Sequence, residues 1–145
     1  MDYIGIDFGS KCMGLSWGND DLNIAVPLPA IVNFQTFEKV FSVLKTISLE
    51  KGCQAFVLGL PLHMNGKEGT RVKEVRIFAN QLTEYFNKPV YFQDERLSTQ
   101  AAKYLSGYQT QSLEKAKKQK QRGIIDSQAA TIILQDYLDE KNIKL

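Results

Sequence analysis

The hydrophobic pattern of this chain changes period just after Val32, and that change constrains the fold more than any other feature. Before it, residues 3–8 (Tyr-Ile-Gly-Ile-Asp-Phe) alternate as a strand does, with Ile4, Ile6 and Phe8 on one face. Gly9-Ser10-Lys11 reads as a turn, Met13, Leu15 and Trp17 alternate through a second strand, and Gly18-Asn19-Asp20-Asp21 turns again. Leu22 to Val32 is a third strand, confined to a sheet edge by Pro27 and Pro29, which cannot donate to a ladder. Turns this short join antiparallel neighbours, so the segment is a meander.

After the change, Phe37, Val40, Phe41, Leu44 and Ile47 follow helical spacing, and Lys51-Gly52 is a natural stop. Ala55 to Leu60 is a continuous apolar run, as expected of a central strand buried on both faces. A glycine-bearing loop (Pro61 to Gly69) leads to a second helix carrying Val72, Val75, Ala79, Leu82 and Phe86, then a short strand from Pro89 to Gln93. Ser98 is placed to cap a helix through Leu105. After a polar segment, a last helix is expected from about Asp126 to Asp139, with Ala129, Ala130, Ile133 and Tyr137 inward. The order β-β-β-α-β-α-β-α-α predicts an α/β fold: a mixed sheet covered by helices on its faces.

With 145 residues, 43% of them hydrophobic, the chain can build one real core, and no repeat or linker divides it. A single domain over 1–145 is the expectation. No apolar run approaches the roughly 18 residues that span a bilayer, and residues 1–30 lack a basic start followed by an apolar stretch. Cys12 and Cys53 are too few for a disulfide scaffold or an unaided zinc site, so a reducing cytoplasm is expected. The net charge is only +2, which by itself argues against a strong polyanion binder. The charges are not evenly spread, however.

Asp7 interrupts the first apolar strand at its carboxyl end, the edge where open α/β sheets carry their substrate crevices. It is equally placed to cap the turn that follows. Asp94-Glu95-Arg96 follows the Val90-Tyr91-Phe92 strand, so Glu95 falls on the same edge, although one acid there can pair with Arg96 or cap the next helix. Asp126 is placed either as the N-cap of the last helix or as an inward-facing group, since Ala130, Ile133 and Tyr137 follow it at helical spacing. Three acids converging on one edge repel one another unless a cation sits between them. Oxygen-only ligation suits a hard ion, Mg²⁺ or Mn²⁺, rather than zinc. His63, the single histidine, has no neighbour in sequence that makes it a metal ligand or the base of a triad.

From Leu113 to Arg122, five cations (Lys115, Lys117, Lys118, Lys120 and Arg122) face one acid, Glu114, a local net of +4. Most such runs are solvated surface. This one leads directly towards Asp126, and cations beside a metal-binding carboxylate suit a phosphodiester substrate. Lys11, beside Asp7, supplies a further phosphate contact in that reading.

Four motifs then occur in a telling order: Gly5-Ile6-Asp7-Phe8-Gly9-Ser10-Lys11; Gly59-Leu60-Pro61 with Asn65-Gly66 and Gly69; Asp94-Glu95-Arg96-Leu97-Ser98-Thr99; and Asp126-Ser127-Gln128-Ala129-Ala130. Together they resemble the YqgF/RuvX-like family of pre-16S ribosomal RNA nucleases, also called Holliday-junction-resolvase-like proteins, over essentially the whole chain. The resemblance implies a ribonuclease H-like fold with a five-stranded mixed sheet, and a metal-dependent nuclease of the cytoplasm acting in 5′-end maturation of small-subunit ribosomal RNA. It implies that Asp7, Glu95 and Asp126 form the acidic constellation; Lys11, Arg96 and the Lys115–Arg122 segment are then expected, from their charge, to hold the nucleic-acid backbone. The chain departs from the family pattern at Cys12-Met13, where Arg and then an aliphatic residue or Thr are usual, and at His63.

Three other readings share these residues. A Holliday-junction-resolvase-like DNA endonuclease uses the same acids on branched DNA, and a non-catalytic nucleic-acid-binding module keeps the fold without turnover. Gly-Ile-Asp-Phe-Gly-Ser also resembles the first phosphate loop of actin-like and sugar-kinase-like phosphotransferases, but those enclose ATP between two such domains. The expected partner is nucleic acid, with precursor rRNA favoured over branched DNA and no membrane association. The protein is expected to be a monomer or a homodimer.

Overall fold

The computed structural model describes residues 1–61, 69–95 and 122–143, with side chains of the last stretch from residue 127 onward. The meander forms as expected: β1 (Asp2–Asp7), β2 (Cys12–Asn19) and β3 (Ile24–Val32) are joined antiparallel. Helix α1 (Phe37–Lys51) starts at Thr36, whose hydroxyl accepts from the Lys39 N–H at 3.4 Å, and stops where Gly52 turns left-handed at φ 64°. Strand β4 (Ala55–Leu60) is buried at every position, as its unbroken apolar run predicts. Helix α2 (Thr70–Phe86), strand β5 (Val90–Asp94) and helix α3 (Arg122–Ile143) complete the described chain.

The sheet order is β3-β2-β1-β4-β5, with β4 parallel to both β1 and β5. This five-stranded mixed sheet flanked by helices is the ribonuclease H-like arrangement implied above. On one face, Ile4, Ile6, Met13, Leu15, Phe56 and Leu58 pack beneath α1 and α2. Phe8, Phe37, Phe41 and Phe78 add a run of tilted and stacked rings there. On the other face, among the described residues, α3 alone covers Tyr3, Ala55 and Val57 with Ile133, Leu134 and Leu138.

The last helix corrects two expectations. It begins at Arg122, so Asp126 lies inside it and is not its N-cap. Ile124 and Ile125 carry the apolar pattern upstream of the aspartate, and a glycine at 123 is tolerated near a helix end. Its inward stripe is Ser127, Ala130, Ile133, Leu134 and Leu138, with Tyr137 packed partly buried against the same cluster as expected, whereas Ala129 is only half-buried. The predicted helix from Ser98 to Leu105 lies outside the described residues.

Candidate active site

Side chains alternate across a strand, so Tyr3, Gly5 and Asp7 of β1 share the face under α3. Ala55, Val57 and Gly59 of β4 do the same. On β5, Tyr91 stacks on Tyr137 and Gln93 donates to Glu140 at 3.1 Å, so Glu95, next in the alternation, falls on this face too. The register pairs Ile6 with Leu58 and Gly59 with Gln93, which sets Asp7, Gly59 and Glu95 across the carboxyl ends of three adjacent parallel strands. The Glu95 backbone N–H donates to the Leu60 carbonyl at 3.2 Å and fixes the start of its side chain.

Gly59 is what lets that side chain cross. A Cβ there would lie 2.6 Å from Glu95 Oε2 and 2.6 Å from Ile133 Cδ1. The Glu95 carboxylate therefore rests over the bare backbone of β4, between β5 and β1, with Ile133 of α3 against the same spot. Burial, and then the neighbouring negative charge of Asp7, push the Glu95 carboxyl up to about 7, against the opposing pull of Arg71. Asp7 and Glu95 are thus brought together, in electrostatic contact at one edge of the sheet.

Arg71 completes the described part of the site, and little in the local pattern marks it. It lies in the first turn of α2, and its Nη2 donates to the Phe8 carbonyl at 2.6 Å, one residue beyond Asp7. One arginine on an amphipathic helix looks like any other. Its place just after Gly69, the last glycine of the loop behind Gly59-Leu60-Pro61, is the one signal that could have marked it.

The helix carrying Asp126 is seated by hydroxyls and small residues. The fully buried Ser127 hydroxyl donates to the Leu28 carbonyl at 2.5 Å and accepts from the Leu15 N–H at 3.3 Å. These groups flank the register shift between β2 and β3 at Met13/Leu15, so the serine spans a local break in the ladder. Ser16 Oγ donates to the Ala130 carbonyl at 2.8 Å. Gly5 permits the approach: a Cβ there would crowd Ser16 Oγ and come within 2.9 Å of Leu134 Cβ and 3.0 Å of the Ala130 oxygen.

The family profile of RuvX, Holliday junction resolvase, matches residues 1–140. The chain belongs to the RuvX family. Among the curated relatives of this RuvX chain is a protein of Limosilactobacillus fermentum named "Putative pre-16S rRNA nuclease", 39% identical over 144 residues, covering 96% of this chain and 94% of the relative. Proteins of the same name from Opitutus terrae and Rickettsia bellii are 37% and 36% identical, covering 97% and 96% of this chain and 93% and 86% of theirs.

The other residues expected in the RuvX site are placed unevenly. Lys11 is exposed beside the start of β2, at the same sheet edge as Asp7. Arg122 and Asp126 lie on the first turns of α3, and their side chains lie outside the described residues, as do Arg96, Lys115, Lys117, Lys118, Lys120 and His63. Cys12 is half-buried and in no disulfide; Cys53 is buried, and burial pushes its thiol up, as suits a core residue. Among the described residues no group of three or more His, Cys, Asp or Glu is gathered to hold a metal, and Asp7 with Glu95 supplies two carboxylates. Among the same residues, no helix is long and apolar enough to cross a membrane.

Proposed function

We propose that this RuvX-family chain is a divalent-metal-dependent nuclease that hydrolyses phosphodiester bonds in 5′-end maturation of precursor 16S rRNA. The observation that carries the reading is the pairing of Asp7 with Glu95 on the carboxyl edge of the sheet, over a strand left bare at Gly59. Two acids held in mutual repulsion in a half-buried place are costly unless a cation offsets them. The donors are carboxylate oxygens, so Mg²⁺ or Mn²⁺ fits and zinc does not.

Asp7, Glu95 and Asp126 would hold the ion. When bound, it would lower the pKa of an attacking water and stabilise the leaving oxygen of an in-line displacement. The protein's own part is to fix the acids. The Leu60 carbonyl anchors Glu95, β1 presents Asp7, and the Ser127 and Ser16 hydroxyls seat α3, which carries Asp126. Lys11, Arg96 and the segment from Lys115 to Arg122 would draw in the polyanion, which a net charge of +2 alone would not do. The names of the relatives favour precursor rRNA over branched DNA.

The test is a cleavage assay on a precursor 16S rRNA fragment and on a four-way DNA junction, with Mg²⁺, with Mn²⁺ and with EDTA. Wild type is expected to cut the RNA with metal, and Asp7→Asn to abolish cutting while keeping the wild-type circular dichroism spectrum. Full activity in Asp7→Asn, or in EDTA, overturns the assignment. Cutting confined to the junction moves the substrate to branched DNA.

A further inference from the structure

We propose that Arg71 is a substrate-positioning residue that grips the RNA phosphodiester backbone beside the Asp7–Glu95 pair, an inference that rests on the nuclease reading above. Arg71 has an exposed side chain whose head is nevertheless fixed: one guanidinium nitrogen donates 2.6 Å to the Phe8 carbonyl. That carbonyl belongs to the residue immediately after Asp7, so the cation stands at the end of β1. The same cation lies within electrostatic reach of Glu95.

A guanidinium carries five N–H donors in a rigid fork. The Phe8 contact uses one and orients the plane, leaving donors for a second acceptor. The arrangement is a cation held by a neutral backbone oxygen beside an acidic pair. A phosphate oxygen can approach it there without first displacing a carboxylate from the guanidinium–carbonyl contact. The two acids repel RNA, and a fixed cation from α2 would counter that repulsion on the side away from α3. Charge-assisted bonds to phosphate from arginine are among the stronger polar contacts.

The experiment measures binding of a structured precursor 16S rRNA fragment across a salt series, in an Asp7→Asn background so that no cutting occurs. Arg71→Gln keeps a donor for the Phe8 carbonyl and removes the charge; Arg71→Lys keeps the charge and removes the fork. If Arg71 contacts phosphate, Arg71→Gln binds about tenfold more weakly at low salt, and the slope of log K against log[salt] becomes shallower by about 0.7–0.9, the share of one phosphate contact. Arg71→Lys retains the slope. In the cleaving protein, Arg71→Gln raises KM with kcat within about twofold, as loss of uniform binding does. A purely structural tie gives both variants the wild-type slope, and that result overturns the proposal. Melting temperatures of both variants separate misfolding from lost contact, and Arg71→Met, which also removes the charge and is expected to show the same shallower slope, carries the test if Arg71→Gln unfolds. If wild type fails to cut with any metal yet the slope change appears, the nuclease reading falls while the backbone contact stands. If the RNA does not bind at all, both fall.

Discussion

The two faces of the sheet are built on different principles. Under α1 and α2 the contact is made by bulk: Phe8, Phe41, Phe56, Phe78, Leu44, Leu58 and Leu82 fill a thick apolar layer. Under α3 it is made by removal of bulk: Gly5, Gly59 and Ser16 let a helix lie close, and hydroxyls fasten it. The thick face supplies stability and places no acid of the site. The thin face gives up packing volume, and in return two acids and the helix bearing a third can share one edge. The difference teaches that here the acid-bearing edge is positioned by what is absent from the strands as much as by what they carry.

The largest effect that would sharpen the contrast is on the thick face. Phe78 is fully buried against Phe8, Phe37 and Phe41, so Phe78→Ala is expected to cost about 3–5 kcal/mol in urea unfolding. A loss below about 1 kcal/mol would break the claim that this face carries stability. Next comes overpacking of the thin face. Gly5→Ala drives a methyl into Leu134 and a helix carbonyl that cannot rotate away, and the expected loss is about 1–3 kcal/mol. Unchanged stability would show that α3 can simply move outward.

A smaller effect is electrostatic. The Glu95 carboxyl is pushed up to about 7 by burial and by Asp7, so the folded state holds a proton that the unfolded chain releases near 4.5. Metal-free stability is therefore highest below about 4.5 and falls as pH rises through about 7, by about 1–2 kcal/mol after solvent screening. Glu95→Gln should flatten that stretch of a melting profile recorded in EDTA; a persisting slope would assign it elsewhere. The smallest effect lies at the far end of α3, where Lys141 meets Asp20 at 2.8 Å and Tyr3 Oη at 2.6 Å. Hydrogen bonds from Lys141 and the amino terminus lower the Asp20 carboxyl to about 2, so its contribution is complete above about 3.8 and is lost as pH falls through 2. Lys141→Met is expected to cost less than about 1 kcal/mol at pH 7, a difference that vanishes on titration to pH 2.

The thick face was the more legible one. Regular periods write themselves into sequence, and Phe37, Val40, Phe41, Leu44 and Val72, Val75, Ala79, Leu82 mark α1 and α2 to within a residue or two of their ends. The acids Asp7 and Glu95 were legible because each breaks or ends an apolar strand on the same edge. Other parts of the thin face were not. Ser127 looks like one more polar residue beside Asp126, yet it is fully buried and bridges two strands. An apparent cap signal at Asp126 hid a helix that starts at Arg122. Arg71 and the role of Gly59 depend on contacts between α2 and β1, and between β5 and β4, which no local pattern encodes.

Pro27 and Pro29 have a consequence beyond ending a ladder. Both sit on β3, the outermost strand on its side, where each removes an amide that a foreign strand would need. The sheet is thereby sealed against polymerisation at that border. At the opposite border β5 runs through Val90, Tyr91 and Phe92 with no proline, and two of its aromatic rings are more than a third exposed. In a crowded refolding mixture, strand-to-strand accretion would have one direction available to it among the described strands, and it starts at β5.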